Sequence, residues 1–125
     1  MYAERAKATG GNRGPLSEIR KVPFLMENFV KSLRIPEDDI LIFSALKKYE
    51  FLAIHPFLDG NGRTSRLIWN YFLLKDWYPL ADIDIAERAR YMNALESMDA
   101  WDTEEYIVLI LEAVERSLDT FIDAL

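Results

Sequence analysis

The chain has 125 residues, half of them apolar and 13% aromatic, which suits one domain with a packed core. It contains no cysteine, so disulfides, thiol catalysis and zinc–thiolate sites are excluded, and a reducing compartment fits. The net charge of −6 is unevenly spread: residues 1–35 carry seven basic and three acidic side chains, residues 81–125 three and twelve, so general binding to nucleic acid or to an anionic membrane is not expected.

Residues 1–16 contain Gly10-Gly11-Asn12-Arg13-Gly14-Pro15, a cluster of turn formers, and read as weakly structured. The Met1–Ala6 start lacks the apolar stretch of a signal peptide, and no apolar run approaches the roughly 20 residues a bilayer span needs. A cytoplasmic domain is expected, trimmed from something longer, with delivery into a host cell left open. Residues 20–120 form the expected helical core.

Val22 to Leu33 reads as the first helix, with Pro23 in its first turn and Val22, Leu25, Met26, Phe29 and Leu33 on one face. Pro36-Glu37-Asp38-Asp39 opens the second, with carboxylates in the first turn. That helix runs through Ile40, Phe43, Leu46, Phe51 and Ile54 into His55, where Pro56 halts it. A third helix is expected from about Asn61 to Lys75, burying Leu67, Ile68, Tyr71, Phe72 and Leu74. Asp84 and Glu87 have the spacing of a capping box for a fourth helix, Ile85 to Ser97. Asp102-Thr103-Glu104-Glu105 repeats the pattern before the longest helix, whose apolar face is Tyr106, Leu109, Ile110, Ala113, Val114 and Leu118. No segment alternates with period two, so the domain is expected to be all-α.

Between the second and third helices lies His55-Pro56-Phe57-Leu58-Asp59-Gly60-Asn61-Gly62-Arg63-Thr64-Ser65-Arg66. It holds the only histidine, two of the five glycines, one carboxylate and two arginines. Glycines let backbone N–H groups converge on a ligand, and the helix that follows offers its own free N–H groups, so the loop suits phosphate. A bare Gly-x-Gly would equally be a helix–turn–helix corner, and the ending is not that of a Walker A loop. Arg63 and Arg66 share a face one turn on, where guanidinium forks fit phosphate oxygens; surface arginines are the bland alternative. Asp59 suits Mg²⁺ held jointly with phosphates, and equally an Asx turn or helix cap. His55 suits a general base, its ordinary pKa being about 6.5. Phe57 reads as the anchor that buries the loop.

These residues resemble the signature of the Fic family, His-Pro-Phe-x-[Asp/Glu]-Gly-Asn-Gly-Arg-x-x-Arg, at every fixed position. The resemblance extends to Val22–Met26 and Trp101–Glu105, and covers about residues 20–120 as an all-α Fic-type bundle with the active loop between two central helices. It implies transfer of AMP from ATP to a Ser, Thr or Tyr hydroxyl of a target protein, with loss of pyrophosphate. By position, His55 would deprotonate the hydroxyl, and Asp59 would hold Mg²⁺ (or Mn²⁺) against the α- and β-phosphates. The N–H groups of Gly60, Asn61 and Gly62 would cradle phosphate, Arg63 would bind phosphate and steady the leaving charge, Arg66 would meet the γ-phosphate, and Phe57 would pack the loop. A Fic-fold phosphotransferase of the Doc type, transfer of UMP or GMP, and a non-catalytic nucleotide- or partner-binding module are the alternatives.

Two departures bear on partners. Family members usually carry a β-hairpin flap that clamps the target by strand addition, and the candidate here, Ala6–Pro15, matches poorly. Many also carry a Ser/Thr-x-x-x-Glu inhibitory helix, and no Ser or Thr here has Glu four residues on. An inhibitory, antitoxin-like chain in trans, a segment outside this sequence, or an unrestrained enzyme are the readings, with homodimerisation also open and AMP removal less expected.

Overall fold

A computed structural model describes residues 16–37 and 39–125. Among them the order is α1 (Leu16–Ser32), α2 (Ile40–Ile54), α3 (Asn61–Lys75), a 3₁₀ turn (Ile85–Glu87), α4 (Arg88–Asp99) and α5 (Glu104–Asp123). No strand occurs among the described residues, as the absence of period-two segments predicts. The expected hairpin at Ala6–Pro15 lies outside them.

The bundle is built around α2, which is apolar on nearly every side and accordingly buried along most of its length. One side packs Ala45, Tyr49, Leu52 and Ala53 against Trp69 and Leu73 of α3, Leu95 and Met98 of α4, and Leu109 and Ile110 of α5. The other side sets Phe51 and Ile54 against Phe29 of α1. Each fully buried large side chain contributes about 1.5–3 kcal/mol. Two hydroxyls fix the register: Tyr106 Oη donates to the Ala45 carbonyl at 2.5 Å, and Tyr49 Oη donates to Asp99 Oδ1 at 2.6 Å. Arg90 of α4 meets Glu87, Glu105 and Glu112, and Arg116 of α5 also reaches Glu87, so the 3₁₀ turn, α4 and α5 share one ionic network.

Several element boundaries differ from expectation. Pro23 lies in the interior of α1, which already runs from Leu16, so the proline removes one helical N–H instead of opening the helix. The second helix begins at Ile40 with Asp39 as its cap, accepting from Leu41 N at 2.9 Å; Glu37 precedes the helix, so no carboxylate stands in its first turn. Asp84 does cap, accepting from Ala86 N at 3.1 Å, but it opens the 3₁₀ turn, and Glu87 turns to Arg90 and Arg116 instead of closing the box. Thr103, with no side-chain bond, is the N-cap of α5.

The expected face of α3 is also corrected. Leu67, Tyr71 and Leu74 are exposed, while Asn61, Ser65, Trp69, Asn70, Phe72 and Leu73 are buried. The buried amide of Asn70 accepts from Ala81 N at 2.8 Å and donates to Ala81 O at 2.9 Å, which lays the chain after α3 back along the helix. Asp82 is thereby brought over α3. The expected apolar face of α5 is buried from Tyr106 to Val114, and Leu118 is partly buried against the same core.

Candidate functional site

The loop joining α2 to α3 is bounded by two left-handed residues. His55 is the C-cap of α2 at φ 53°, its N–H bonded to Phe51 O at 3.0 Å, and Gly60 is the N-cap of α3 at φ 85°. At Gly60 the backbone conformation itself asks for glycine. Between them Pro56 is buried, while Phe57 and Leu58 are 49% and 63% exposed. Phe57 is therefore not the buried anchor expected; its ring reaches Phe51 at 6.3 Å between centroids but remains half in solvent. The anchor is Asn61, 5% exposed, whose side-chain amide accepts from Phe57 N at 3.1 Å and donates to Phe57 O at 2.7 Å.

The Thr64 N–H makes the first bond of α3, to Gly60 O at 2.9 Å. The N–H groups of Asn61, Gly62 and Arg63 therefore have no acceptor within the helix, and carry the positive end of its dipole. The Gly60 N–H is already engaged by Asp59 Oδ1 at 2.8 Å, so in this state the cradle starts one residue later than expected. Gly62 has a different significance from Gly60. A Cβ built there would meet nothing within 4 Å, so packing does not require glycine, and within a helix glycine costs about 1 kcal/mol relative to alanine. The open space lies in a cleft.

That cleft, of about 470 Å³, is lined by Gly62, Arg63 and Arg66 of α3, by Lys48 and Leu52 of α2, by Asp82 to Ile85, and by Arg88 and Tyr91 of α4. Four cationic side chains thus share one wall system with two carboxylates. Arg66 Nη1 bonds Asp82 Oδ2 at 3.2 Å, and Arg63 Nη2 stands 3.7 Å from Asp59 Oδ2, both pairs well exposed to solvent. His55, Phe57, Asp59, Gly60 and Asn61 are not among the lining residues; they form the loop that leads directly into Gly62.

Asp59 fits a metal in a limited way. Its Oδ1 is bonded to the Gly60 N–H, and no group of three or more metal-type side chains exists among the described residues. One carboxylate is what Mg²⁺ takes from a protein when phosphate oxygens and water complete its shell.

The Fic/DOC family profile matches residues 2–73, more than half of the chain, motif included. The chain belongs to the Fic/DOC family. Curated relatives include the "Protein adenylyltransferase Fic" of Drosophila sechellia and of Drosophila melanogaster, each 34% identical over 101 residues, 78% of this chain and 20% of the relative. The chain thus spans about a fifth of the length of those relatives. Among solved structures, Fic-1 from C. elegans superposes with a TM-score of 0.79 at 25% identity, covering 86% of this chain and 33% of that one. A Fic domain containing signaling protein from Bacteroides thetaiotaomicron superposes with 0.76 at 25% identity, covering 81% and 45%. The fold of this chain is therefore shared by the matched parts of these structures. No helix among the described residues is long and apolar enough to cross a membrane.

Beside the Fic motif stand residues that sequence reading passed over, chiefly Lys48, Asp82, Arg88 and Tyr91. Lys48 is 4% exposed. Its Nζ bonds the Tyr91 hydroxyl, stands 3.5 Å from Ser65 Oγ, and lies over the Tyr91 ring at 4.6 Å. Burial pushes its ammonium down from the ordinary lysine value to about 7, with Asp82 opposing the shift and Arg66 adding to it. The signal available in the sequence was a lysine seven residues before His55 and hence on nearly the same face of α2.

Proposed function

We propose that this Fic domain transfers AMP from ATP to a hydroxyl group of a target protein and releases pyrophosphate. The observation that carries the reading is Gly62: a helical glycine with no packing need, its N–H free, opening on a cleft between Arg63 and Arg66. Such a position is built for close approach of an anion. The full signature and the likeness to proteins named protein adenylyltransferase Fic support the choice of nucleotide transfer within the family.

In this reading the N–H groups of Asn61, Gly62 and Arg63 and the guanidinium of Arg63 hold the phosphates, with the γ-phosphate toward Arg66. Asp59, together with phosphate oxygens, would hold Mg²⁺ (or Mn²⁺), which would supply positive charge that neutralises the phosphates. His55 accepts the proton of the Ser, Thr or Tyr hydroxyl as its oxygen bonds to the α-phosphorus. The bond from that phosphorus to the bridging oxygen breaks, and pyrophosphate leaves against Arg63. Catalysis is in-line positioning and charge neutralisation. The exposed Phe57 and Leu58 face the incoming protein segment. A separate inhibitory chain acting at Arg66 and pairing with a second copy remain partner proposals, and the cytoplasm, where ATP and Mg²⁺ are abundant, is the proposed setting.

The test is label transfer to protein from ATP labelled at the α- or the γ-phosphate. Label from the α position alone, abolished by His55→Ala, is the expected result. Label from the γ position alone indicates a Doc-type phosphotransferase, and modification unaffected by His55→Ala removes the proposed mechanism.

A further inference from the structure

Lys48 has no place in the Fic motif, yet it lies in the cleft wall beside Arg66 and Gly62. Among the described residues no carboxylate is within ion-pair distance of it, and the nearby Asp82 is committed to Arg66 at 3.2 Å. Its surroundings are the hydroxyls of Tyr91 and Ser65 and the ring faces of Tyr91 and Trp69, the latter at 5.9 Å. An ammonium buried among hydroxyls and rings, without a counter-charge, is costly. The cleft it lines also holds Arg63, Arg66 and Arg88, so a polyanion entering there would meet four cationic side chains. Lys48 is mechanically tied to that place: Ser65 Oγ donates to Gly62 O at 2.8 Å, so a chain of contacts runs from Tyr91 on α4 through Lys48 on α2 to the first turn of α3.

We propose that Lys48 is a positioning residue that takes up a proton from solvent when nucleotide phosphates fill the cleft, supplying a cation at the moment of binding and bracing Ser65 under Gly62. The proposal rests on the nucleotide reading of the cleft. Burial favours the neutral amine in the empty site at slightly alkaline pH. The charged and titratable groups facing it are Arg66 from α3, Tyr91 from α4 and Asp82 from the segment after α3, with Arg63, Arg88 and Asp84 in the same cleft. Arg66 opposes the ammonium and Asp82 favours it. A polyanion entering between them favours it more strongly, so the bound state holds more protons than the free state. Affinity must then fall as pH rises above the free-state value, by up to about tenfold per pH unit.

The experiment measures the affinity of Mg²⁺ with a non-hydrolysable ATP analogue at about pH 6.5 and about pH 8.5, values that bracket the titration. It uses the wild-type chain and Lys48→Met, with calorimetry in two buffers of different ionisation enthalpy. The wild type should bind about tenfold or more weakly at the higher pH and show net proton uptake there. Lys48→Met should bind with little pH dependence, near the wild type's alkaline affinity, and without that uptake. Ionisation of the ligand itself is common to both proteins and cancels. An equal pH slope in both proteins overturns the proposal and moves the proton to another group, His55 foremost. Binding without proton uptake overturns it while leaving the nucleotide reading intact, and no binding at either pH removes both. Should Lys48→Met fail to fold, the ¹³Cε resonance of Lys48 in the wild type decides: on adding the analogue at alkaline pH it must move to its protonated position, and an unmoved resonance overturns the proposal.

Discussion

The side-chain amide of Asn61 engages both backbone polar groups of Phe57, at 3.1 Å from its nitrogen and 2.7 Å from its oxygen. The loop is thus held by a two-point clamp from the first residue of α3, at a position 5% exposed. Asn61→Ala removes both bonds and should destabilise the fold by about 1–3 kcal/mol in a denaturant melt. Asn61→Asp keeps an acceptor for Phe57 N but sets a carboxylate against Phe57 O, and should cost at least as much. A wild-type melting curve for both variants would show that the clamp contributes nothing.

Trp77 and Trp101 occupy the residue after a helix end where glycine normally sits. Both have positive φ, at 70° and 65°, and both are bracketed by the paired bonds of a Schellman turn: Tyr78 N to Leu73 O with Trp77 N to Leu74 O, and Asp102 N to Ser97 O with Trp101 N to Met98 O. Their rings are 95% and 85% exposed, so little packing offsets the backbone strain. Trp77→Gly and Trp101→Gly should therefore each raise stability, by about 1 kcal/mol, visible as a higher Tm. A lower Tm would mean that the indoles pack better than their exposure indicates.

Stability should rise with pH above neutrality and then decline. Lys48 is held at about 7 in the folded chain against about 10.4 when unfolded, so the unfolded state binds the extra proton between these values. The gain approaches about 1.4 kcal/mol per pH unit over that window. Tyr49 acts in the opposite direction: burial first, then its bond to Asp99, pushes its hydroxyl well above the usual tyrosine value. Its contribution is present below about pH 10 and lost above it, so the maximum should fall at about pH 10, where the two windows meet. Chemical melts across this range check the curve, and Lys48→Met should flatten its rising limb.

Arg66 and Asp82 form an exposed pair, with side chains 48% and 64% accessible. Such pairs contribute about 0–1 kcal/mol to folding. Arg66→Ala should leave the melting midpoint nearly unchanged while weakening binding of the Mg²⁺–ATP analogue about 10- to 100-fold, the loss of a charge-assisted contact worth about 1.5–3 kcal/mol. Equal losses in folding and binding would assign Arg66 a structural role instead.

The sequence made most of this architecture legible because its signals were local. Pro56, which halts α2 at His55, and the apolar stripe of α5 each act within a few residues, and the corresponding elements stand close to where they were expected. The motif likewise concentrates its chemistry in twelve consecutive positions. What was not legible depended on partners distant in the chain. Asn70 is buried on α3 because its amide finds Ala81, eleven residues on, and a reading by hydropathy therefore placed Leu67, Tyr71 and Leu74 inside in its stead, though it placed Phe72 correctly. Lys48 meets Tyr91 across 43 residues and Arg66 meets Asp82 across 16, and no spacing rule anticipates either. Pro23 was misplaced because a proline suits the first turn of a helix and is tolerated inside α1.

Of the three tryptophans, Trp69 alone is fully enclosed, with the amine of Lys48 5.9 Å from its ring. Replacing the two surface indoles by glycine would leave a single indole, buried in the core beside Lys48. Its emission would then follow the local field of a group that switches between neutral and positive, so the charge on one buried amine could be watched in solution as colour and brightness, with no added dye.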